Sequence, residues 1–294
     1  MKTLWKIVVS LGIIGAVLMV VGLVLGANSS GFYFNENGLN MYNKGSERIV
    51  VMDLEAIQDI EIDVASANIR FISADSYGIE IISKRDGAFK YYIDDGRLVV
   101  KETRDLSFFI FNFNWEAEYV NVYLPANADL ASIVIKNDSG NIELAELNCE
   151  TLRIDLVSGN MKVSDIKAST ISLYDESGKI NAKKLEAEKF NFHVTSGTLV
   201  AQDIVSQDLV ARVLSGNAKI DGLLKGHSDI SVTSGGVELE IIGSEQDYNR
   251  DISVVSGSVK INGNKNSAGT VDFKAANSLR IKVTSGNVKL NFTK

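Results

Sequence analysis

The chain has 294 residues, a formal net charge of −7, one cysteine and one proline. A general nucleic-acid binder would normally be basic, so the charge disfavours that class of protein. A lone cysteine excludes an intrachain disulfide and any metal site built from several cysteines. The scarcity of proline is typical of long ladders of paired strands.

The N-terminal segment carries an uncharged run from Ile7 to Ala27. As a helix of about 21 residues it would span about 31 Å, which matches the hydrocarbon thickness of a bilayer. Lys2 and Lys6 precede the run, and the first charge after it is Glu36. The positive-inside rule therefore predicts a single-pass membrane protein with a cytoplasmic N-terminus and an extracytoplasmic remainder.

We expect residues 1–27 to be an uncleaved signal anchor that forms a transmembrane helix. The alternative is a cleaved secretory signal, whose apolar core would be only about 7–15 residues long and would end at an A-x-A-like site. Gly22 and Gly26 form a G-x-x-x-G pair, which leaves dimerisation of the anchor open. Residues 28–48 are rich in Asn, Gly and Ser and are predicted to be a juxtamembrane linker.

Residues 49–132 show the period-two alternation of short strands, as at Ile60, Ile62 and Val64. Alternation of this kind places one side of each strand in a core. We expect atypical N-terminal β coils and a capping hairpin here, because the end of a repeat array has to be covered.

An aromatic segment inside this region is the candidate interaction patch. Phe109, Phe111, Phe113 and Trp115 alternate along the chain and would share one strand face. They could dock a partner or a membrane surface, since large apolar patches are rarely left bare. They could instead belong to a hairpin that seals one end of the fold. The sequence favours the second interpretation and leaves the first open.

From residue 133 to residue 294 a Ser-Gly doublet recurs. The first six doublets are evenly spaced, and the last two follow after longer intervals. The doublets are Ser139, Gly140, Ser158, Gly159, Ser177, Gly178, Ser196, Gly197, Ser215, Gly216, Ser234, Gly235, Ser256, Gly257, Ser285 and Gly286. A constant period of about 19 residues indicates one supersecondary unit stacked on its neighbours.

Apolar residues recur at fixed offsets from each serine. Positions −6, −4, +3, +5 and +8 are apolar in most repeats, as at Ile133, Ile135, Ile142, Leu144 and Leu147. Pairs spaced by two indicate strands with one inward face, and the doublet between them is a corner where glycine can reach positive φ.

The pattern predicts an all-β, single-chain parallel β-solenoid with coils of about 19 residues, each stacked in register on the next. The extra residues of the last two intervals, 243–250 and 263–276, are expected to protrude as loops.

From about residue 49 onward the chain resembles the bacterial putative-adhesin β-strand-repeat family, whose function is undefined. The resemblance rests on the Ser-Gly-Asn/Lys/Thr-apolar-x-apolar corners and on Leu124-Pro125 before the array. With the anchor included, the chain is also similar to the membrane-anchored member found in Gram-positive envelope-stress operons. The resemblance implies a right-handed solenoid displayed outside the membrane, and it brings no catalytic residues with it.

Enzyme signatures are missing from the sequence. It contains no G-x-S-x-G, H-E-x-x-H, Walker-type or C-x-x-C motif, and no histidine recurs at a constant offset from the serines. The calcium-binding nonapeptide is also absent, so neither a metal nor a cofactor is implied. The remaining enzymatic hypothesis is a carbohydrate-active solenoid, with Asp155, Asp175 and Glu176 arrayed as carboxylates along one outer sheet.

We therefore expect a non-enzymatic, membrane-tethered module outside the cell membrane. It would act as an adhesin-like protein or scaffold of the cell envelope, with an envelope protein or glycan as its partner. The sequence leaves the partner and the oligomeric state open, because a fold of this kind does not determine its function.

Overall fold

The computed structural model of the protein describes residues 15, 32–35, 38–41, 47–84, 87–103 and 117–293. The predicted membrane-spanning run, apart from Gly15, lies outside these residues. The aromatic patch of Phe109, Phe111, Phe113 and Trp115 also lies outside them. In the part of the chain that is described, no helix is long and apolar enough to cross a bilayer.

The described chain is built almost entirely of strands, which confirms the all-β class. A short 3₁₀ turn, Glu245–Asp247, interrupts them near the C-terminal end. The strands are β1 (Phe32–Asn35), β2 (Gly38–Met41), β3 (Glu47–Leu54), β4 (Asp59–Ser66), β5 (Asn68–Ala74), β6 (Tyr77–Ser83), β7 (Phe89–Asp94), β8 (Arg97–Glu102), β9 (Tyr119–Pro125), β10 (Leu130–Ser234), β11 (Val237–Ile242), β12 (Tyr248–Ser256), β13 (Val259–Ile261), β14 (Asn264–Asn266), β15 (Gly269–Val271), β16 (Asn277–Ser285) and β17 (Val288–Thr293).

β10 is a 105-residue run of extended chain that folds back on itself. Side chains nineteen residues apart touch along it: Asn160 Nδ2 donates to Asn141 Oδ1 at 3.1 Å, and Lys162 Nζ lies 2.6 Å from Glu143 Oε1. The end of β10 pairs in parallel with β11, with Ala218 opposite Val237. The fold is therefore a β-solenoid-like repeat array. We name each coil by its corner serine and count positions from that serine.

The core follows the predicted inward positions. Residues at −6, −4, +3 and +5 are buried in the regular coils, as at Leu152, Ile154, Met161 and Val163. Position −2 also faces inward, because it continues the alternation of −6 and −4. Its buried apolar members are Val64, Leu156, Val194, Val213, Val232 and Val283.

At position +8 the prediction is wrong for two coils. Leu224 and Ile241 are buried, whereas Leu223 is half-buried and Ile242 is 49% exposed. Four earlier coils turn at +7 through a residue with φ between 51° and 57°, but Gly222 at the same position takes φ 146°. The inward alternation after Gly222 is therefore displaced by one residue, while Ile241 continues the alternation of β11 without a turn.

The Ser285 coil is stacked out of sequence. Its Ile281 lies opposite Ile230 of the Ser234 coil on one side and opposite Ile252 of the Ser256 coil on the other. The C-terminal coil is thus inserted between the two coils that precede it in the chain, which corrects the predicted sequential order. The segment 263–276 is long enough to carry the chain back over one coil, a step of about 4.8 Å.

Both ends of the array are covered by antiparallel strands. At the N-terminal end, β8 and β9 stack outside β4 and β5, and β7, β6 and β3 then pair in antiparallel fashion. At the C-terminal end, β14 pairs antiparallel to β13, and β15 to β12. Residues 263–276, predicted as a loop, therefore contain two short strands that shield an open sheet edge.

Candidate ligand site at the C-terminal end

The predicted corner residues join neighbouring coils to one another. Gly235 N donates to Ser285 O, and Gly286 N donates to Ser256 O, both at 2.8 Å. The asparagine that follows several doublets adds a further bond between coils; Asn217 Oδ1, for example, accepts from the main-chain N–H of Gly236 at 2.8 Å. These contacts occupy main-chain groups that would otherwise be available to a ligand.

The carboxylates proposed for a carbohydrate-active enzyme do not share one face. Asp175 is 1% exposed and points into the array, whereas its neighbour Glu176 is exposed. Successive side chains of a strand point to opposite sides, so these two cannot act together on one substrate. Asp155 forms a two-bond ion pair with Arg153, with both N–O distances 2.9 Å.

A cavity of about 510 Å³ lies beside the last three coils. Positions −7 to −5 of the Ser234, Ser285 and Ser256 coils line it, together with part of β15. Its polar residues are His227, Ser228, Asp229, Asn249, Arg250, Asp251, Thr270, Asp272, Ser278 and Arg280. The insertion of the C-terminal coil is what brings these residues together.

Charges alternate across the cavity. Arg280 of the inserted coil lies in register between Asp229 on one side and Asp251 on the other. Its Nε is 3.4 Å from Asp251 Oδ2, and Thr270 Oγ1 is 3.5 Å from Asp251 Oδ1. The surface therefore presents hydrogen-bond donors and acceptors side by side.

A serine and a histidine meet at the same place. His227 Nδ1 is 2.7 Å from Ser278 Oγ. Asp208, in the preceding coil, accepts from the main-chain N–H of His227 at 3.2 Å. The imidazole and hydroxyl are close enough for proton transfer, but this contact of Asp208 is with the main chain, not with the ring that an orienting acid would have to hold.

Two buried polar residues interrupt the core beside the cavity. Ser228 and Arg250 stand at position −6, where the regular coils carry apolar residues, and are only 3% and 5% exposed. Arg250 Nη2 lies 2.7 Å from Glu245 Oε1, and its guanidinium carbon is 5.7 Å from the ring centre of Phe273.

Some polar atoms of these two side chains lack a hydrogen-bond partner in the described part of the chain. Within the described segments, Ser228 Oγ and Arg250 Nε and Nη1 form no hydrogen bond. Both side chains stand at the inward position −6, on the other side of their strands from Asp229, Asp251 and Arg280. Buried donors are nearly always satisfied, so this pair points to ordered solvent inside the array. Both residues could have been found in the sequence, because they are the polar exceptions in an apolar column.

The site suits a ligand rich in hydroxyl groups. Carboxylates accept from hydroxyls, guanidinium groups donate to them, and serine and threonine do both. In the segments that the structure describes, no three His, Cys, Asp or Glu side chains are grouped so that they could hold a metal ion.

Comparison with one solved structure supports the fold, and a second structure is similar to a lesser degree. A putative adhesin from Bacteroides fragilis NCTC 9343 is 13% identical with a TM-score of 0.53, covering 85% of this chain and 98% of that one. A putative lipid binding protein from Parabacteroides distasonis ATCC 8503 is 15% identical with a TM-score of 0.42, covering 86% and 98%. No curated protein matches the chain.

The family comparison matches the repeat array. The family model described as Toastrack DUF4097 matches residues 57–291, which contain all of the Ser-Gly corners and the C-terminal cavity. The chain belongs to the Toastrack DUF4097 family.

Proposed function

We propose that the protein is a membrane-tethered, extracytoplasmic module that binds a glycan of the cell envelope through its C-terminal cavity, without catalysis. The uncharged run from Ile7 to Ala27 is the tether. The array is a right-handed solenoid with coils of about 19 residues. In a Gram-positive envelope such a module would act as an adhesin-like protein or as a scaffold during envelope stress. The adhesin name of the similar Bacteroides structure supports this class of function.

The main support for this proposal is the group of charged and polar side chains that line the cavity. Asp229, Asp251 and Asp272 supply acceptors, and Arg280 and Thr270 supply donors, on the outward side of their strands. A glycan offers hydroxyls that both donate and accept, so it can satisfy all of these groups together.

The binding test uses the full-length chain in detergent. Cell-wall and acidic glycans are screened by calorimetry, and the best ligand is then measured against two variants. Asp251→Ala should weaken binding at least about tenfold, because a hydrogen bond to a charged group contributes about 1.5–3 kcal/mol. Asp155→Ala is the matched control, since Asp155 is also an outward carboxylate paired with an arginine, but far from the cavity.

Equal affinity loss in both variants would exclude the cavity as the binding site. Failure to bind any glycan would exclude the proposed ligand class. The tether is tested separately on intact cells: protease added outside should digest the array, and the mature chain should still contain the run from Ile7 to Ala27. A mature chain that begins after Ala27 would show that the run is a cleaved signal.

A second candidate function is supported by the contact between His227 and Ser278. Their separation of 2.7 Å is within the range of a nucleophile and its base, which would suit an enzyme acting on acylated envelope glycans. Turnover of such a glycan that disappears in Ser278→Ala, with binding retained, would replace the non-enzymatic proposal. Absence of turnover at full binding would leave the contact as part of a binding surface.

A further inference from the structure

A carboxyl group is buried in the middle of the array. Asp175 stands at position −2 of the Ser177 coil and is 1% exposed. The same position in the two adjacent coils is held by Leu156 and Val194, which are both buried. Asp175 therefore replaces an apolar side chain at a point where burial disfavours charge.

Among the residues that the structure describes, only one of its two oxygens finds a hydrogen-bond partner. Oδ1 accepts from the main-chain N–H of Ser177 at 3.2 Å. Oδ2 is buried and has no partner within the described residues. It lies next to the corner carbonyl of the preceding coil, because a Cβ placed on Gly178 would meet both Gly159 O and Asp175 Oδ2.

The Ser139 coil shows what this position requires. Asn137 is also at −2, and its Oδ1 likewise accepts from the N–H of its corner serine, at 3.3 Å. Its Nδ2 donates to the carbonyl oxygen of Ala67 at 2.8 Å, and Ala67 follows Ser66 as Gly159 follows Ser158. The corner thus offers one N–H donor and one carbonyl acceptor to the side chain at −2.

We propose that Asp175 is held as a neutral carboxylic acid whose Oδ2–H donates to the Gly159 carbonyl oxygen, so that it locks two coils together in acid and releases them when it ionises. A carboxylate cannot donate, and it would bring a negative oxygen against a carbonyl oxygen. This lock is independent of the C-terminal cavity and of any ligand bound there.

The titratable neighbours do not neutralise Asp175. Tyr174 and Glu176 on its own coil, Asp155 on the preceding coil and His193 on the following coil occupy outward positions, half-buried or exposed. Burial raises the pKa of the Asp175 carboxyl from 3.8 to about 6, against the opposing effect of the Ser177 N–H. No neighbouring charge contributes to that pKa.

The raised pKa of Asp175 determines how the stability of the fold changes with pH. The folded-state pKa lies above the value of the unfolded chain, so folding takes up a proton between them. The stabilisation is fully present below about pH 4 and is lost as the pH rises through about 6. Other carboxylates titrate in the same interval, so the informative quantity is the difference between matched variants.

The test compares wild type with Asp175→Asn, which supplies the donor at every pH, as Asn137 does. Denaturant unfolding of the full-length chain is followed by the circular dichroism of its strands at pH 4 and pH 7.5. The ratio of the two unfolding constants should change by on the order of 50-fold between these values, with the variant more stable at the higher pH. Glu176→Gln, the exposed neighbour, should leave the ratio to wild type unchanged.

The reciprocal variant, Asn137→Asp, provides a second and independent test. It should acquire the pH dependence that Asp175→Asn loses, with full stability in acid and reduced stability at pH 7.5. A ratio that does not change with pH for Asp175→Asn, or an Asn137→Asp chain without new pH dependence, would overturn the proposal. An Asp175→Asn chain that fails to fold would also overturn it, since asparagine matches the proposed neutral acid in shape and donor.

Discussion

At the scale of single residues, the corner glycines are set by space as well as by φ. A Cβ built on Gly216 would overlap the carbonyl oxygen of Gly197, and one on Gly235 would overlap that of Gly216. Each corner carbonyl therefore rests against the Cα of the next glycine, at a distance that any side chain would prevent. This close approach explains why glycine recurs in every regular coil, whereas the residue after it varies.

Two variants, Gly216→Ala and Gly263→Ala, separate the two reasons for glycine, which are the positive φ and the lack of space for a Cβ. Its φ of 136° and the overlap with Gly197 should together cost about 3 kcal/mol or more of unfolding free energy. Gly263 also has a positive φ, 80°, but nothing lies within 4 Å of a Cβ there. Gly263→Ala should therefore cost only about 1–2 kcal/mol, measured by the same denaturant unfolding. Equal costs at the two sites would show that the corners are not in contact.

At the scale of whole elements, the charges at position −5 favour the observed order of the last coils. The apolar residues of the Ser256 and Ser285 coils are nearly interchangeable, as Ile252 and Ile281 illustrate. Sequential stacking would place Asp251 beside Asp229, whereas the observed order separates these two carboxylates by Arg280. Like charges directly opposite each other on neighbouring strands destabilise a sheet.

Arg280→Glu tests whether charge favours this order of the coils. It would place three carboxylates in a row and should lower the free energy of unfolding by about 1–2 kcal/mol, an effect that salt should reduce. Lys282→Glu is the matched control, since Lys282 lies in register between Ser231 and Ser253, which are uncharged. Its loss should be smaller, and the difference should fall as ionic strength rises. An equal loss in both variants would remove charge as the reason for the insertion.

The sequence accounts for the coils better than for their arrangement. The constant period and the alternation around each serine were enough to predict which side chains fill the regular core. Position −2 is not among the predicted inward positions, although alternation alone places Asp175 inside and removes it from the enzymatic hypothesis. The insertion could not be predicted, because two coils with the same apolar pattern can stack in either order.

The candidate site, too, can be predicted only in part from the sequence. Ser228 and Arg250 are visible in the sequence as polar residues in an apolar column. The position of Arg280 between Asp229 and Asp251 depends on the coil order, so no pattern along the chain reveals it. A local motif search therefore finds the corners and overlooks the cavity.

At the scale of the whole molecule, the protein is an array whose regular middle is closed at both ends by irregular strands. β3 at one end and β14 and β15 at the other are short or irregular and pair in antiparallel fashion. Such ends protect the parallel strands from pairing with other chains. The cavity forms at the C-terminal end because the coil inserted there out of sequence brings new residues side by side.

Distances between spin labels test this arrangement most directly. One label replaces Lys136, and the second replaces Ser231, Lys282 or Ser253, all four of them at the same outward position of their coils, with Cys149 changed to Ser. At about 4.8 Å per coil, the expected separations are about 24, 29 and 34 Å in that order. We expect Lys282 to lie nearer to Lys136 than Ser253 does, although Lys282 comes later in the chain. A shorter distance to Ser253 than to Lys282, or distances unrelated to the number of coils, would contradict it.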